Sequence, residues 1–125
     1  MTRLLGILVL AVAAVLITPS LRERARPQIE WALTPVYRWE TRNRVNDIQR
    51  VLIRERATGG QIPRPREFPA FLEQREGAGA ALDPWGEPFF LEADRTTFRV
   101  GSSGQDRTRG TEDDILSRVV EAGER

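Results

Sequence analysis

The fold is decided by residues 83–115, which read DPWGEPFFLEADRTTFRVGSSGQDRTRGTEDDI. Aromatic and β-branched side chains are concentrated in 89–93 and 97–100, and such runs are typical of strands. The three residues between the runs, Asp-Arg-Thr, predict a hairpin. Because a long polar stretch over 102–114 follows the second run, we expect a small antiparallel sheet that carries one large loop.

A tight turn is predicted immediately before the first strand, at Asp83, Pro84, Trp85 and Gly86. Pro84 presets its own backbone for a turn, Asp83 can accept hydrogen bonds from the backbone beyond it, and Gly86 permits a positive φ. Trp85 is large enough to cover a small core. Because these side chains include no reactive group, we interpret them as a structural turn.

The polar loop carries one early carboxylate, Asp106, and three in succession at 112–114. Carboxylates held close together repel one another unless a cation neutralises them. Calcium binds six to eight oxygens and accepts backbone carbonyls among them, although the spacing here is not that of an EF-hand. The alternative is a solvated acidic loop with Arg107 and Arg109 as counter-charges. The residues alone leave both interpretations open.

Before the sheet, residues 28–57 predict an amphipathic helix. We expect Pro27 to lie at a helix start and Pro35 to begin a new helix or kink the existing one. The sequence Thr-Gly-Gly at 58–60 predicts the end of the helix. Its apolar stripe consists of Tyr37, Val45, Ile48, Val51 and Leu52.

Shorter elements are predicted on either side of the sheet. A linker over 61–66 contains two prolines, and a short helix is expected at 67–75 with Phe68, Phe71 and Leu72 on one side. Residues 115–120 supply a last short strand or a turn of helix. The predicted order is therefore a long helix, a short helix and a small antiparallel sheet, which is an α+β fold.

The N-terminal residues 4–17 contain no polar side chain, and the stretch 4–21, eighteen residues long, ends at the Arg-Glu-Arg sequence that starts at Arg22. A membrane-spanning helix needs about 20 apolar residues, with about 17 as a lower bound. We therefore expect residues 1–21 to form an uncleaved membrane anchor, because a signal-peptidase site is not convincing. Arg22, Arg24 and Arg26 follow it, and counting cations would by itself place the C-terminal side in the cytoplasm.

Composition excludes several functions. All 19 cationic residues are Arg, and Lys, Cys and His are absent. Disulfides, thiolate nucleophiles, Schiff bases, Ser-His-Asp triads and the usual zinc sites are therefore excluded. Oxygen ligands remain, and these suit calcium and magnesium.

Charge and the distribution of carboxylates exclude two further classes. Residues 22–56 hold nine Arg against five acidic residues, and 57–125 hold nine against thirteen. Since the globular end is acidic, we expect no nucleic-acid partner. The carboxylates cluster in one loop and do not flank a cleft, so we expect neither an enzyme nor a small-molecule substrate.

Taken together, the motifs resemble the C-terminal domain of the major pseudopilin of type II secretion systems. The resemblance covers roughly 62–115: DPWG before an aromatic strand, a hairpin, S-x-G-x-D at 102–106 and G-T-x-D-D-I at 110–115. It implies a long N-terminal helix packed on a small antiparallel sheet, and a role in a short periplasmic filament that helps move folded proteins across the outer membrane.

The resemblance also implies calcium in the loop before the last strand. It assigns side-chain ligands to Asp106, Asp113 and Asp114, and further carbonyl ligands near Ser102 and Ser103. Glu112 is expected to face solvent. Members of this family carry a leader that ends in Gly, followed by Phe and, four residues later, by Glu. In this chain Ile7 replaces that Phe and Ala11 replaces that Glu. We therefore expect the chain to keep Met1 and not to form homopolymeric filaments alone.

The expected organisation is a membrane anchor at 1–21, an amphipathic helical segment at 22–60 and a small pseudopilin-like β domain at 61–125. The resemblance places the protein in the inner membrane, with a single span and the C-terminal domain in the periplasm. Its expected partners are other pseudopilins or inner-membrane components of the secretion system. The alternative is an anchored envelope module that binds another protein without entering a filament.

Overall fold

The computed structural model describes residues 6, 7, 10, 11, 13 and 19–121. By its internal contacts the chain divides into two units, Met1–Pro35 and Val36–Arg125. The described residues of the first unit are all helical. Most of the predicted membrane segment at 4–17 lies outside the described residues. Within the described part of the chain, no helix combines the length and the apolar character needed to cross a bilayer.

Helix α1 spans Pro19–Ala57. It begins earlier than the predicted helix at 28–57 and continues through Pro27 and Pro35, so no helix begins at either proline. Each proline removes one backbone N–H donor from the helix. At its end, the N–H of Gly60 donates to the carbonyl of Glu55 at 2.9 Å, which satisfies one of the last free carbonyls.

A 3-10 turn over Pro65–Glu67 leads into helix α2, Phe68–Glu76, one residue from the predicted bounds. Two ion pairs connect α2 to α1. The guanidinium of Arg44 lies 2.6 Å from the carboxylate of Glu76, and that of Arg75 lies 2.6 Å from the carboxylate of Glu55.

The sheet has four antiparallel strands: β1 Phe90–Ala93, β2 Thr97–Ser102, β3 Ile115–Leu116 and β4 Val120–Glu121. Strand β2 is central. It pairs with β1 on one side, and with β3 and then β4 on the other. The hairpin predicted between the first two strands is present, and the loop of interest connects β2 to β3.

Strands β3 and β4 pair with β2 in registers that differ by one residue, so a bulge interrupts the last strand at 117–119. Ser117 bridges the interruption. Its N–H donates to the carbonyl of Val100, and its hydroxyl accepts the N–H of Val100, both at 2.9 Å. Gln49 of α1 donates its side-chain N–H to the carbonyl of Arg118 at 2.6 Å. The bulge thus gives α1 a polar attachment to the sheet.

The core lies between the helices and one face of the sheet. The buried apolar side chains of α1 are separated by three or four residues, as expected for an amphipathic helix. The fold is α+β, with a helix packed on a small antiparallel sheet, as predicted. The core consists of Val45, Ile48, Leu52, Phe68, Leu72, Ala81, Trp85, Phe89, Leu91, Phe98, Val100, Ile115 and Val120.

Candidate metal-binding loop

The loop over 103–114 closes on itself at its base. Ser102 and Ile115 face each other in the β2–β3 ladder, so both ends of the loop are fixed by the sheet. Gly104 has a φ of +71°, and a Cβ atom at this position would lie 2.2 Å from the carbonyl oxygen of Asp113. Only glycine allows the two arms to approach this closely.

The predicted turn supports the base of this loop through Asp83, whose side chain is buried. Its Oδ1 accepts the N–H groups of Trp85 at 3.0 Å and Glu87 at 2.9 Å. Its Oδ2 accepts the hydroxyl of Ser102 at 2.6 Å, and that hydroxyl in turn accepts the N–H of Gly104 at 3.2 Å. A continuous hydrogen-bonded chain therefore joins the turn to the arm of the loop.

The remaining turn residues shape the backbone and cover the core. Gly86 has a φ of +87°, and its N–H donates to the carbonyl of Asp83 at 3.0 Å. Trp85 is buried, and its ring meets that of Tyr37 edge-on, with centroids 6.0 Å apart. Pro84 is exposed. The turn is a structural support for the neighbouring loop.

Asp106 organises the outer part of the loop. Its Oδ2 accepts the hydroxyl of Thr111 at 2.6 Å, and its Oδ1 accepts the N–H of Thr108 at 2.9 Å. The hydroxyl of Thr111, followed by the N–H of Thr108, lowers the pKa of Asp106. Both oxygens of the Asp106 carboxylate are therefore engaged within the loop.

Asp113 lies beside Asp106 and also contacts α1. Its Oδ2 accepts the backbone N–H of Asp106 at 3.2 Å. Its Oδ1 and its backbone carbonyl oxygen each lie 3.5 Å from Nη1 of Arg38. The structure thus brings two of the predicted ligand residues together and adds a cation that the sequence motifs did not indicate.

Asp114 differs from the other two in having unused acceptor capacity. Its Oδ2 accepts the N–H of Gly110 at 2.8 Å. Its Oδ1 is buried and has no hydrogen-bond partner. A buried carboxylate oxygen without a donor is costly, and a bound cation would remove that cost.

An arginine from the outer bend of the loop packs on strand β1. The guanidinium of Arg109 lies 4.1 Å from the ring centroid of Phe90 and 3.2 Å from Oε1 of Glu92. Nε of Arg99 lies 2.5 Å from Oε2 of the same Glu92. Burial raises the pKa of Glu92, but the hydrogen bonds from Arg99 and Arg109 outweigh it and the pKa is lowered. This cluster holds the outer bend against the sheet.

The loop residues offer the oxygen ligands that calcium prefers, but their present arrangement does not form a calcium site. Every donor is oxygen, as calcium prefers, and Oδ1 of Asp114 is an orphaned buried acceptor. The hydroxyl of Ser102 is engaged by Asp83, which leaves its carbonyl as the possible ligand, and Ser103 is buried beside it. Among the described residues, however, no group of three or more carboxylates is placed to hold one metal ion.

Two contributors to the loop were not predicted from the sequence. Arg38 reaches Asp113 across 75 residues, and no local pattern distinguishes it from the other arginines of α1. Thr111 does have a local signal. A threonine two residues before an aspartate is typical of a side-chain-to-backbone turn, and the Thr111 hydroxyl accepts the N–H of Asp113 at 3.3 Å.

No protein-family model, curated protein or solved structure matches the chain. The resemblance to the pseudopilins therefore stays a prediction from the motifs at 83–86, 102–106 and 110–115.

Proposed function

We propose that the protein is a structural, pseudopilin-like component of a type II secretion system or a related type IV pilus-like system, with calcium bound in the 103–114 loop. The observation that carries the proposal is the pinched loop before the last strand. It holds three aspartates, and one of them, Asp114, keeps a buried oxygen without a donor. The long helix packed on a small antiparallel sheet agrees with the family's expected architecture.

The proposed ligands are the carboxylates of Asp106, Asp113 and Asp114, together with the carbonyls near Ser102 and Ser103. Calcium supplies the positive charge that lets three neighbouring carboxylates remain close. The chain's own contribution is to fix the loop's base, through Asp83 and the hydroxyl of Ser102, before any ion arrives. Metal binding to such a site stabilises the folded state because the unfolded chain has no equivalent site.

The same proposal places an inner-membrane anchor at residues 1–21 and the C-terminal domain in the periplasm. Ile7 and Leu10 support the anchor, since both are helical apolar residues and are 65 % and 72 % exposed. The partners are other pseudopilins or inner-membrane secretion components. A reporter fused after Arg125 should be active only outside the cytoplasm, and activity confined to the cytoplasm would contradict the proposed topology.

The test of function is deletion of the gene followed by a secretion assay. Loss of secretion should be restored by the wild-type chain. Asp113→Ala and Asp114→Ala should restore it poorly, because each removes a proposed ligand. Glu112→Ala, a matched acidic substitution at an exposed residue, should restore it fully. Normal secretion after deletion would reject a role in secretion.

The second candidate is an anchored envelope module that binds another protein without entering a filament. Ala11 favours it, because the family's pattern has Glu at that position. A protein of this kind would keep Met1 and would not be cross-linked into filaments with pseudopilins. Mass spectrometry that finds a new N-terminus at Ile7 would contradict the module and support processing.

A further inference from the structure

We propose that the groove between α1 and residues 79–84 binds an arginine side chain of a partner protein. The guanidinium of that arginine would lie on the ring of Trp39 and donate hydrogen bonds to Glu40, Asp47 and the hydroxyl of Thr41. The inference goes beyond the secretion role proposed above, and it requires no metal ion.

The groove lies between residues 37–47 of α1 and residues 79–84, within the second unit of the chain. Its volume is about 570 Å³, which is within the range of ligand pockets. Thr41 is buried among its lining residues, whereas Trp39 and Leu82 are 69 % and 47 % exposed. A long side chain can therefore pack its methylene groups on apolar surface while its charged head keeps polar contacts.

Trp39 is an exposed aromatic ring that carries no cation. Elsewhere in the chain the guanidinium of Arg109 lies 4.1 Å from the ring centroid of Phe90, and that of Arg75 lies 5.6 Å from the centroid of Phe71. Among the described residues no guanidinium lies over Trp39, although indole is the best cation–π acceptor. An arginine from a partner would supply the contact that these two phenylalanines receive from the chain itself.

The charge of the groove favours a cation. Three carboxylates line it, those of Glu40, Asp47 and Asp83, together with one guanidinium, that of Arg44. The charge of Arg44 is already compensated, because its Nη2 lies 2.6 Å from the carboxylate of Glu76. An excess of acidic groups attracts a basic partner and repels an acidic one. The groove is therefore complementary to a cationic side chain.

Thr41 is an independent observation that points to a ligand. It lines the groove and is fully buried, and its Oγ1 has no hydrogen-bond partner among the described residues. A buried hydroxyl without a partner is costly. A donor supplied by a ligand would remove that cost.

The type of polar group in the groove favours arginine over other ligands. A guanidinium has five N–H donors and no acceptor, so it matches the acceptors of Glu40, Asp47 and Thr41. Asp47 pairs with Arg50 at 3.0 Å, but the two side chains are 56 % and 73 % exposed, so water screens the pair. The planar guanidinium can also stack on a ring while its edges donate, which the ammonium of lysine cannot do.

The test is titration of the full chain with Nα-acetyl-arginine amide, followed through the backbone amide NMR signals of residues 79–84. The matched probe is Nα-acetyl-citrulline amide, which has nearly the same shape and no charge. We expect saturable shifts with the arginine probe and binding about tenfold weaker for the citrulline probe, because the cation–π contact and the ion pairs are lost.

Three variants locate the site. Trp39→Ala and Glu40→Gln should each weaken binding of the arginine probe by about threefold, as expected for an exposed cation–π contact and an exposed ion pair. Glu73→Gln is the matched control, because Glu73 is an exposed acidic residue of α2 outside the groove. It should leave the affinity unchanged.

Thr41→Val separates a binding role from a structural one. Valine keeps the shape of threonine and removes the hydroxyl. The variant should raise the melting temperature of the chain without probe, because a buried unpaired hydroxyl is gone, and should weaken binding of the arginine probe by about threefold. An unchanged affinity, or a lower melting temperature, would show that the hydroxyl does not serve the site and would overturn the proposal as stated.

The remaining outcomes are equally decisive. No saturable shift in the wild-type chain, or equal binding of the two probes, would overturn the proposal. An effect of Glu73→Gln as large as that of Glu40→Gln would also overturn it, since the attraction would then be general charge. If Trp39→Ala converts a dimer of the full chain to monomers in analytical ultracentrifugation, a second copy fills the groove and the assignment to a partner protein is wrong. The secretion role proposed above is independent of each of these results.

Discussion

The turn at 83–89 and the loop at 103–114 both place backbone N–H groups around aspartate side chains. They differ in how completely the aspartate oxygens are hydrogen-bonded. In the turn, the buried Asp83 accepts three hydrogen bonds from the chain, shared between both of its oxygens. In the loop, Asp114 keeps a buried oxygen without a partner, and Asp113 relies on a long contact with Arg38. The acceptor capacity of the buried aspartate is thus used in the turn, whereas the loop leaves one buried carboxylate oxygen without a partner.

The largest expected effect is that of Asp83→Ala. The substitution leaves the buried N–H of Trp85 and the buried hydroxyl of Ser102 without their acceptor, and a buried donor left unsatisfied costs about 1–3 kcal/mol. We expect a loss of about 3 kcal/mol in the free energy of unfolding, measured by urea denaturation in chelator. Asp94→Ala is the control, because Asp94 also accepts backbone N–H groups but is exposed. Equal losses in the two variants would remove the distinction between a buried support and an ordinary turn.

The next effect is that of Gly104→Ala at the base of the loop. The new Cβ would lie 2.2 Å from the carbonyl oxygen of Asp113 at a φ of +71°, so the two arms must separate. Gly110→Ala is the matched control, since its φ is +89° and nothing lies within 4 Å of the added atom.

Both glycine substitutions incur the backbone penalty of a positive φ, roughly 1–2 kcal/mol, and only Gly104→Ala adds a clash. Urea denaturation should therefore show the larger loss for Gly104→Ala, by about 1–3 kcal/mol as for overpacking elsewhere. Equal losses would mean that the arms are not held together in solution.

The smallest effect concerns pH and a third aspartate. Hydrogen bonds from the N–H groups of Thr96 and then Thr97 lower the pKa of Asp94 from 3.8 to about 2. Because the folded-state pKa lies below the unfolded one, the stabilisation is present above about pH 4 and is lost as pH falls towards 2. The stability difference between wild type and Asp94→Asn should shrink over that window in acid-dependent melting. A difference that does not change with pH would show that the charge of Asp94 contributes nothing.

Local patterns were sufficient to predict much of the fold. The α+β class, the end of α1 near 58–60, the hairpin between β1 and β2 and the turn at 83–86 each depend on residues close in sequence. Glycine, proline and alternating apolar residues carry that information directly. Asp106, Asp113 and Asp114 lie in one loop because they are close in sequence, whereas Ser102 is the last residue of β2.

Other features depend on distant parts of the chain and were not predicted. The contact between Arg38 and Asp113 joins residues 75 positions apart, and the sequence offers nineteen arginines for such a role. The bulge near Ser117 depends on how α1 and β2 meet the last strand. The start of α1 was also missed: the prediction placed it at Pro27 because proline is common at the first helical position, whereas the helix begins at Pro19.

The most direct test of the calcium site is thermal melting of the full chain in calcium and in chelator at one pH. Calcium bound only to the folded form should stabilise it by about 2.7 kcal/mol at a hundredfold excess over Kd, and magnesium should substitute poorly. Asp113→Ala and Asp114→Ala should each abolish the calcium response, and Glu112→Ala should preserve it. No response to calcium in the wild-type chain, or an equal and mild weakening in all three variants, would show that the loop is a solvated acidic turn and not a calcium site.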